Sequence, residues 1–498
     1  MPSVDQPILD ASVGPGWAPH SLDVQGGRFP LSVEAHLMNM TAQLVPGATT
    51  VTTSARYFTL HGAVAVEAAR RSLALPERLA LLRRCEVVMA AASIVHPSPA
   101  AGTVHGYDAI MTKSGGERFD LAALATPKLG YSDAQAGFLG PYLGSELTLG
   151  ILGDGNLVPG ARLDEDALAV GFEGLFELAD REAVTSADLD GCAHLSIGAV
   201  ADSRDGDWLA HQLCAVGLLD PVTSDRTRAG TVRLLVHAAT STTSDDLVAA
   251  FRRMVAYGPQ LRADPIVSTI PEAEPWRGAL FRHDSVGAWR RLWAWLTDAI
   301  DGPTLRGELE TKLAESLPDL TLDAFDKQLP PTMDAHGDPI DAESIVRAGQ
   351  HKLPAESLAL ILLGARRAAE LTGVSRSALV GNERKVAVLS PLWVTDWAEN
   401  RRGMHLRDVA RELTDVLLDR AQRIALSKMR MRNGRMWLPS VVGERGGYLY
   451  TVGREGRGNV GLRLEQLAGI LRGVAVLDLA SGKWQLGTRG EELLGATA

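Results

Sequence analysis

"PWRGALFRHDSVGAWRRLWAWLTDAI", residues 275–300, is the stretch that best indicates how this chain folds. Its apolar residues recur at spacings of three and four, so Trp289, Leu292 and Trp293 fall on one stripe of a helix. Pro275 suits the first turn, where its missing N–H is not needed. A tryptophan stripe can stack on bases or ligands, but large rings on one helix face are more typical of a core. We therefore expect a buried helix here.

Helical periodicity extends over most of the chain. The fold class predicted is mainly α, a multi-helix body with a small α+β, winged-helix-like C-terminal module. Alternating residues over 436–452 predict strands in that module. Further helices are predicted within 31–95, 163–181, 208–216, 224–257, 354–373 and 404–432, with Gly373 ending the helix of 354–373.

Loop-forming stretches divide the chain into domains. Residues 317–344 combine adjacent prolines with an acidic, glycine-containing run, which is typical of a domain boundary. The predicted organisation is an extended arm over 1–30, an N-terminal helical domain over 31–150, a middle helical domain over 151–328 and a helical, winged-helix-like basic module over 345–498.

Composition excludes several classes of protein. The 60 Asp and Glu outnumber the 50 Lys and Arg, which argues against a protein that coats a polyanion with its whole surface. Cys85, Cys192 and Cys214 are widely separated, so neither a disulfide framework nor a thiolate zinc site is predicted. The sequence begins without an export signal, and no window is apolar enough to span a bilayer. We expect a cytoplasmic protein that does not bind membranes.

The sequence lacks the common catalytic motifs that we searched for. It contains no H-E-x-x-H, no G-x-S-x-G and no Walker A loop. The "GREGRG" of 453–458 lacks the Lys-Ser/Thr that would reach phosphate and magnesium. His283 and Asp284 form a dipeptide without further ligands at recognisable positions. We therefore predict no catalytic residue, no metal ligand and no cofactor.

Positive charge is concentrated near the C-terminus. Residues 401–498 hold 17 Lys and Arg against 10 Asp and Glu, a balance of +7, whereas the rest of the chain carries −17. Such a region would bind nucleic acid by neutralising phosphates and releasing counterions. The predicted phosphate contacts are Arg420, Arg423, Lys428, Arg430, Arg432, Arg435, Arg454 and Arg457.

A purely structural explanation exists for the same charges. In the helix predicted over 404–432, acidic residues come early and basic residues late, as the helix dipole favours. Arginines that flank an apolar stripe also commonly extend over the edge of a core. A solvated helix end and a nucleic-acid surface are both compatible with this pattern.

The segment "RLEQLAGILRGVAVLDLASGKWQLGTRGEELL", 463–494, favours the nucleic-acid alternative. It predicts an amphipathic helix, a strand, a turn at "SGK", a second strand and a closing helix. A winged-helix module ends in this order and commonly places a helix in the major groove. Winged helices also serve as protein docking modules.

"LVPGATTVTTSARYF", residues 44–58, predicts a joint between two helices. Pro46 and Gly47 end the first helix. The hydroxyls that follow are expected to cap the N-terminus of the second. The alternative is a phosphate-binding turn, because a helix N-terminus with hydroxyls and an arginine can hold an anion. Its candidate residues are Thr49, Thr50, Thr53 and Arg56.

The same stretch resembles the entry segment of an uncharacterised bacterial family, which has a phrase close to L-F-P-G-T-S-T-I-Q-T-R-A-R-Y-F. Ser54 stands where that family has its first arginine. Members tend to be encoded in defence islands beside helicases and phospholipase D-like nucleases. The resemblance therefore implies an accessory role in defence. Matching positions are Pro46, Gly47, Thr50, Thr53, Arg56, Tyr57 and Phe58.

Together these features predict a non-catalytic subunit of a bacterial anti-phage or anti-plasmid defence assembly. Its basic C-terminal region would bind nucleic acid, DNA in preference to RNA, and its acidic body would dock partner proteins such as a helicase or nuclease. Two alternatives stay open: a metal-dependent nuclease whose carboxylate ligands are dispersed in the sequence, and a purely structural scaffold.

Overall fold

The structure is a computed structural model that describes residues 22–98, 102–241, 245–349, 351–432 and 435–494. For residues 22–25, 432 and 435 it describes the backbone alone. The fold is mainly helical, as predicted, with 58% of the chain in helices. Most of the predicted N-terminal arm, residues 1–21, lies outside the described residues.

Twelve α-helices lie in the described part of the first half of the chain. They are α1 (Ala35–Leu44), α2 (Ala55–Arg70), α3 (Leu75–Val95), α4 (Tyr107–Ser114), α5 (Leu121–Ala125), α6 (Leu139–Leu149), α7 (Glu165–Gly171), α8 (Leu175–Ala179), α9 (Ser186–Leu189), α10 (Arg204–Cys214), α11 (Thr223–Ser241) and α12 (Leu247–Ala256).

Eleven more follow within the described residues of the second half. They are α13 (Gln260–Ala263), α14 (Ala273–Asp298), α15 (Arg306–Ser316), α16 (Leu322–Lys327), α17 (Ala342–Ala348), α18 (Leu353–Glu370), α19 (Gly373–Val380), α20 (Pro391–Glu399), α21 (Leu406–Ser427), α22 (Leu464–Gly473) and α23 (Thr488–Leu494).

The strands are short and form small sheets of two or three members. One sheet has the order β1-β6-β5 and another β4-β8-β7; β2 pairs with β3, and β9 with β10. All pairs are antiparallel except β1 with β6. The strands are β1 (Leu22–Gln25), β2 (Arg118–Asp120), β3 (Ala183–Thr185), β4 (Thr304–Leu305), β5 (Arg430–Arg432), β6 (Arg435–Pro439), β7 (Val442–Arg445), β8 (Tyr448–Thr451), β9 (Leu477–Ala480) and β10 (Lys483–Leu486).

The first of two compact units contains the described parts of residues 1–40, 255–261 and 274–460. Its core includes the tryptophans of α14, and Trp276, Trp289 and Trp293 are each at most 2% exposed. The prediction of a buried helix with a tryptophan stripe is therefore confirmed. Around it, α15 packs against α21 and α18 against α20.

The second unit contains the described parts of residues 41–254, 262–273 and 461–498. Helix α2 lies at its centre and contacts α3, α7, α10 and α22. This position explains why nearly every side chain of α2 is buried, with Tyr57 and Phe58 at most 1% exposed. Helix α11 packs against β10.

The compact units divide the chain differently from the predicted domains. Residues 317–344, predicted as a boundary, lie inside the first unit, where they include α16. The predicted C-terminal module is divided after Val460, so its helices and strands up to β8 belong to the first unit and those from α22 onward to the second.

Two predicted element boundaries need correction. Helix α18 ends at Glu370, and Gly373, with φ of +57°, begins α19 instead of ending α18. The helix predicted over 404–432 is α21, which ends at Ser427. Arg430 therefore begins strand β5 and does not lie on the helix.

Candidate nucleic-acid interface

Helix α21 carries the first of the predicted phosphate contacts at its C-terminal end. Its apolar stripe is buried, with Leu413 and Leu417 at most 1% exposed, which directs the basic side chains to the edge of the core. Arg420 donates from Nε to the carbonyl oxygen of Leu31 at 3.0 Å. Arg423 donates to the carbonyl oxygen of Asp419 at 3.2 Å.

Lys428, at the C-cap of α21, reaches the same N-terminal segment as Arg420. Its Nζ donates to the carbonyl oxygens of Arg28 at 2.9 Å and Phe29 at 3.1 Å. Burial lowers the pKa of Lys428, and the charge of Glu34 opposes that shift. Burial also lowers the pKa of Arg420, and the positive charge of Arg423 lowers it further.

These hydrogen bonds leave the positive charges uncompensated. A carbonyl oxygen accepts a hydrogen bond but carries no formal charge, whereas a carboxylate would cancel the charge of its partner. Within the described ranges, Arg420, Arg423 and Lys428 form no ion pair. Arg420 and Arg423 therefore keep their electrostatic attraction for an anion, whereas the charge of Glu34 reduces that of Lys428.

Arg430 lies on β5, which with β6 forms a strand pair that we call the ribbon, and β1 extends this pair to a three-stranded sheet on the other side of β6. It is opposite Trp437 in the register, and its guanidinium carbon lies 4.7 Å from the centroid of the tryptophan ring. An arginine stacked on an aromatic ring is a common surface for unpaired bases. The side chains of Arg432 and Arg435 lie outside those that the structure describes.

The last two predicted contacts lie in the loop after β8. Arg454 is exposed. Arg457 forms an ion pair with Asp298 at 2.6 Å, so its charge is largely compensated. Among the six predicted residues whose side chains the structure describes, Arg457 is therefore the weakest candidate for binding phosphate.

Arg290, on α14, is a basic residue that sequence reasoning missed. It donates to the carbonyl oxygen of Gly458 at 2.7 Å and pairs with Glu34 at 2.8 Å. Its guanidinium carbon lies 5.8 Å from the centroid of the Phe29 ring. Because Phe29 also accepts from Lys428, Arg290 joins Arg420, Arg423 and Lys428 in one group, which we call the basic cluster.

The winged-helix-like segment belongs to the second unit, and none of the eight predicted contacts lies on it. Its elements follow the predicted order: α22, β9, β10 and α23. Arg489 donates to the carbonyl oxygens of Val200, Ser203 and Val474, which anchors α23. Trp484 donates to the carbonyl oxygen of Asp245. These hydrogen bonds connect the segment to the rest of its unit.

In the 44–58 turn, the hydroxyls of Thr49 and Thr52 bond within the turn, and the side chain of Ser54 does not cap α2. Thr52 Oγ1 accepts from the N–H of Thr49 at 2.8 Å and donates to the carbonyl oxygen of the same residue. Ser54 is the N-cap of α2 but makes no side-chain capping bond. Its own N–H donates to the hydroxyl of Tyr142 at 3.1 Å. The prediction that these hydroxyls cap the N-terminus of α2 is therefore wrong. The hydroxyl of Thr52 bonds to the backbone of Thr49, and the hydroxyl of Tyr142 accepts from the N–H of Ser54.

The four candidate phosphate-binding residues of this turn do not converge. Arg56 is fully buried and pairs with Asp205 at 2.5 Å, and it donates to the carbonyl oxygens of Gly171 and His194. Burial lowers the pKa of Arg56, and Asp205 opposes that shift. Thr53 instead lines a cleft of about 490 Å³ that also includes Arg472. Thr50 is exposed, and Thr49 accepts from the N–H of Val51.

A buried polar cluster beside this turn was not predicted. His61 on α2 lies between two carboxylates, with Nδ1 2.5 Å from Glu146 and Nε2 3.5 Å from Glu86. Tyr131 donates its hydroxyl proton to Glu86. Burial lowers the pKa of His61, but the two carboxylates more than offset this and raise it to about 9. These residues are too far apart in the sequence for any local pattern to connect them.

The described residues contain no group of three or more His, Cys, Asp or Glu side chains arranged to hold a metal ion. Nor does any helix in the described ranges have the length and apolar character needed to cross a bilayer. Comparisons with models of protein families, with curated protein sequences and with solved structures give no match.

Proposed function

We propose that this protein is a cytoplasmic, non-catalytic subunit of a bacterial defence assembly and binds nucleic acid through its first unit. The observation that carries the proposal is the bonding of the basic cluster. Arg420, Arg423 and Lys428 donate to neutral carbonyl oxygens, so their charges attract an additional anion. Phosphates of a nucleic acid are such anions, and they bind several cations at once.

Arg430 and Trp437 extend this surface with a different chemistry. Their stack offers a π-face to an unpaired base while the guanidinium remains charged. DNA is the preferred ligand of this proposal, in either duplex or single-stranded form.

The helix–hairpin–helix of α22 to α23 supports a second part of the proposal. We infer that it is a winged-helix-like module that docks partner proteins, because Arg489, one of its basic residues, is engaged internally. The defence context itself comes from the resemblance carried by residues 44–58. Co-purification of a helicase or nuclease with the full chain from its native cell is the expected result.

A salt titration tests the DNA-binding proposal. We expect Arg423→Glu with Arg430→Glu to lower the log–log salt slope for duplex DNA by about 1.8, since each lost phosphate contact removes about 0.9. Fluorescence anisotropy over a range of salt concentrations gives this slope. The matched control is Arg402→Glu with Arg411→Glu, an equal charge change at exposed arginines paired with Glu399 and Asp408.

Other results would favour the alternatives. An equal loss of slope in the control would mean that binding follows total charge and does not depend on Arg423 and Arg430. Magnesium-dependent cleavage by the purified protein would indicate a nuclease. Stable partner complexes without any DNA binding would indicate a scaffold.

A further inference from the structure

The N-terminal segment 22–34 crosses the basic cluster, and we call this segment the strap. It begins as β1, which pairs in parallel with β6 from Leu22 opposite Met436 to Gln25 opposite Pro439. It then continues along the end of α21 and leads into α1. The strap therefore lies beside both the ribbon and the cluster that the proposed function assigns to nucleic acid.

Two of the residues proposed to bind phosphate, Arg420 and Lys428, also hold the strap. Lys428 donates to the carbonyl oxygens of Arg28 and Phe29, and Arg420 donates to that of Leu31. Arg290 lies beside the ring of Phe29. A phosphate would therefore compete with the strap at the Nζ of Lys428 and at the Nε of Arg420.

The strap also carries a carboxylate into the cluster. Glu34 is 1% exposed and pairs with Arg290 at 2.8 Å, and its charge acts on the buried Arg282 and on Lys428. Its Oε2 has no hydrogen-bond partner among the described residues. The buried carboxylate of Glu34 therefore interacts with three cations, as a bound phosphate would.

We propose that the strap is an autoinhibitory segment that competes with nucleic acid for the basic cluster; this inference rests on the proposed function. Phosphate oxygens form stronger, charge-assisted bonds than carbonyl oxygens, so a polyanion that contacts several cations can displace the strap. The strap is held at a sheet edge by a strand of four residues, which limits the cost of its release.

Substituting a glycine of the strap can displace it from β6 without altering the charge of the protein. A side chain at Gly27 would lie 2.5 Å from Cβ of Pro439 and 2.6 Å from its carbonyl oxygen, so Gly27→Val should force the strap off β6. A side chain at Gly26 would lie 3.6 Å from Cγ2 of Val441, an ordinary contact. Gly26→Val is therefore the matched control.

The experiment compares the full-length chain and the two variants by anisotropy with duplex DNA across a salt series. Gly27→Val is expected to bind more tightly than wild type, with a salt slope steeper by about 1.8, because Arg420 and Lys428 each gain a phosphate at about 0.9 per contact. Gly26→Val is expected to match wild type. Circular dichroism checks that all three proteins are folded.

A reversible lock tests the strap within a single folded protein. Because a Cβ at Gly26 would lie 3.6 Å from Cγ2 of Val441, we choose Gly26→Cys with Val441→Cys as the pair for a disulfide that fastens the strap. We expect the oxidised protein to bind DNA more weakly than the same protein after reduction. Equal DNA binding in both forms, together with equal binding by Gly27→Val and wild type, would contradict the autoinhibitory role of the strap. It would leave the proposed function intact. No binding by any of these proteins would overturn both.

Discussion

At the scale of single residues, His61 shows how a charged group is kept in a core. Its ring is fully buried, yet Glu146 and Glu86 lie on either side and favour the protonated form. Glu146, by contrast, has its pKa raised by burial, and His61 opposes that shift. The stability of this cluster therefore depends on the proton of His61.

The expected result is a loss of stability in alkaline solution. The pKa of His61 is raised to about 9 in the folded protein, above the value of about 6.5 in an unfolded chain. The protonated histidine therefore stabilises the fold fully below pH 6.5, and this contribution disappears as the pH rises through about 9. Urea unfolding at several pH values measures the effect. A His61→Gln variant that shows the same decline as wild type would contradict the assignment.

At the scale of elements, strand β6 is the central strand of its sheet and pairs with two different neighbours. On one side it forms a ribbon with β5, and on the other it binds the strap through β1. Arg430 and Trp437 face each other across the ribbon, where Met431 is 63% exposed. An exposed methionine beside a stacked tryptophan is a surface suited to bases more than to phosphates.

Removing the tryptophan should affect single-stranded ligands most. Trp437→Ala is expected to weaken single-stranded DNA binding by about 1–3 kcal/mol, the range for one base stacked on an aromatic ring, with a smaller effect on duplex DNA. Competition binding with both ligands measures the difference. Trp393→Ala is the control, since Trp393 is also partly exposed and stacks on Trp397 in the same unit. Equal losses in the two variants would exclude a stacking role for Trp437.

At the scale of the whole molecule, the boundary between the acidic and the basic part of the sequence does not coincide with the boundaries of the two compact units. Residues 401–498 carry +7, but this region contributes to both compact units. The basic cluster and the ribbon lie in the first unit, and the winged-helix-like segment lies in the second. Either unit could in principle contact DNA, and hydrogen exchange distinguishes between them.

Amide exchange with and without duplex DNA should show protection in only one of these regions. We expect slower amide exchange over residues 420–432 and 435–439, which bound DNA would cover. We expect faster exchange over the strap, because DNA would displace it from Arg420, Lys428 and β6. Peptides from α22 to α23 should be unchanged. Protection confined to those last elements would place the interface on the winged-helix-like segment and contradict the assignment to the first unit.

The sequence was informative where local periodicity decides structure. Helix α14 and the order of α22, β9, β10 and α23 follow from apolar spacing and turn residues, which act between near neighbours. The capping of α2 could not be predicted in the same way. Ser54 donates its N–H to Tyr142, which is 88 positions away, and no local pattern reports on such a contact.

By itself the sequence determined a mainly helical chain, its tryptophan-rich core helix and the excess of positive charge after residue 400. Only the tertiary structure decided which of those charges are compensated, because the acceptors of Arg420 and Lys428 lie nearly 400 residues earlier in the chain. It also brought Arg290 to Glu34 and buried Arg56 against Asp205. Charge compensation depends on distances in space, and composition along the chain does not specify those distances.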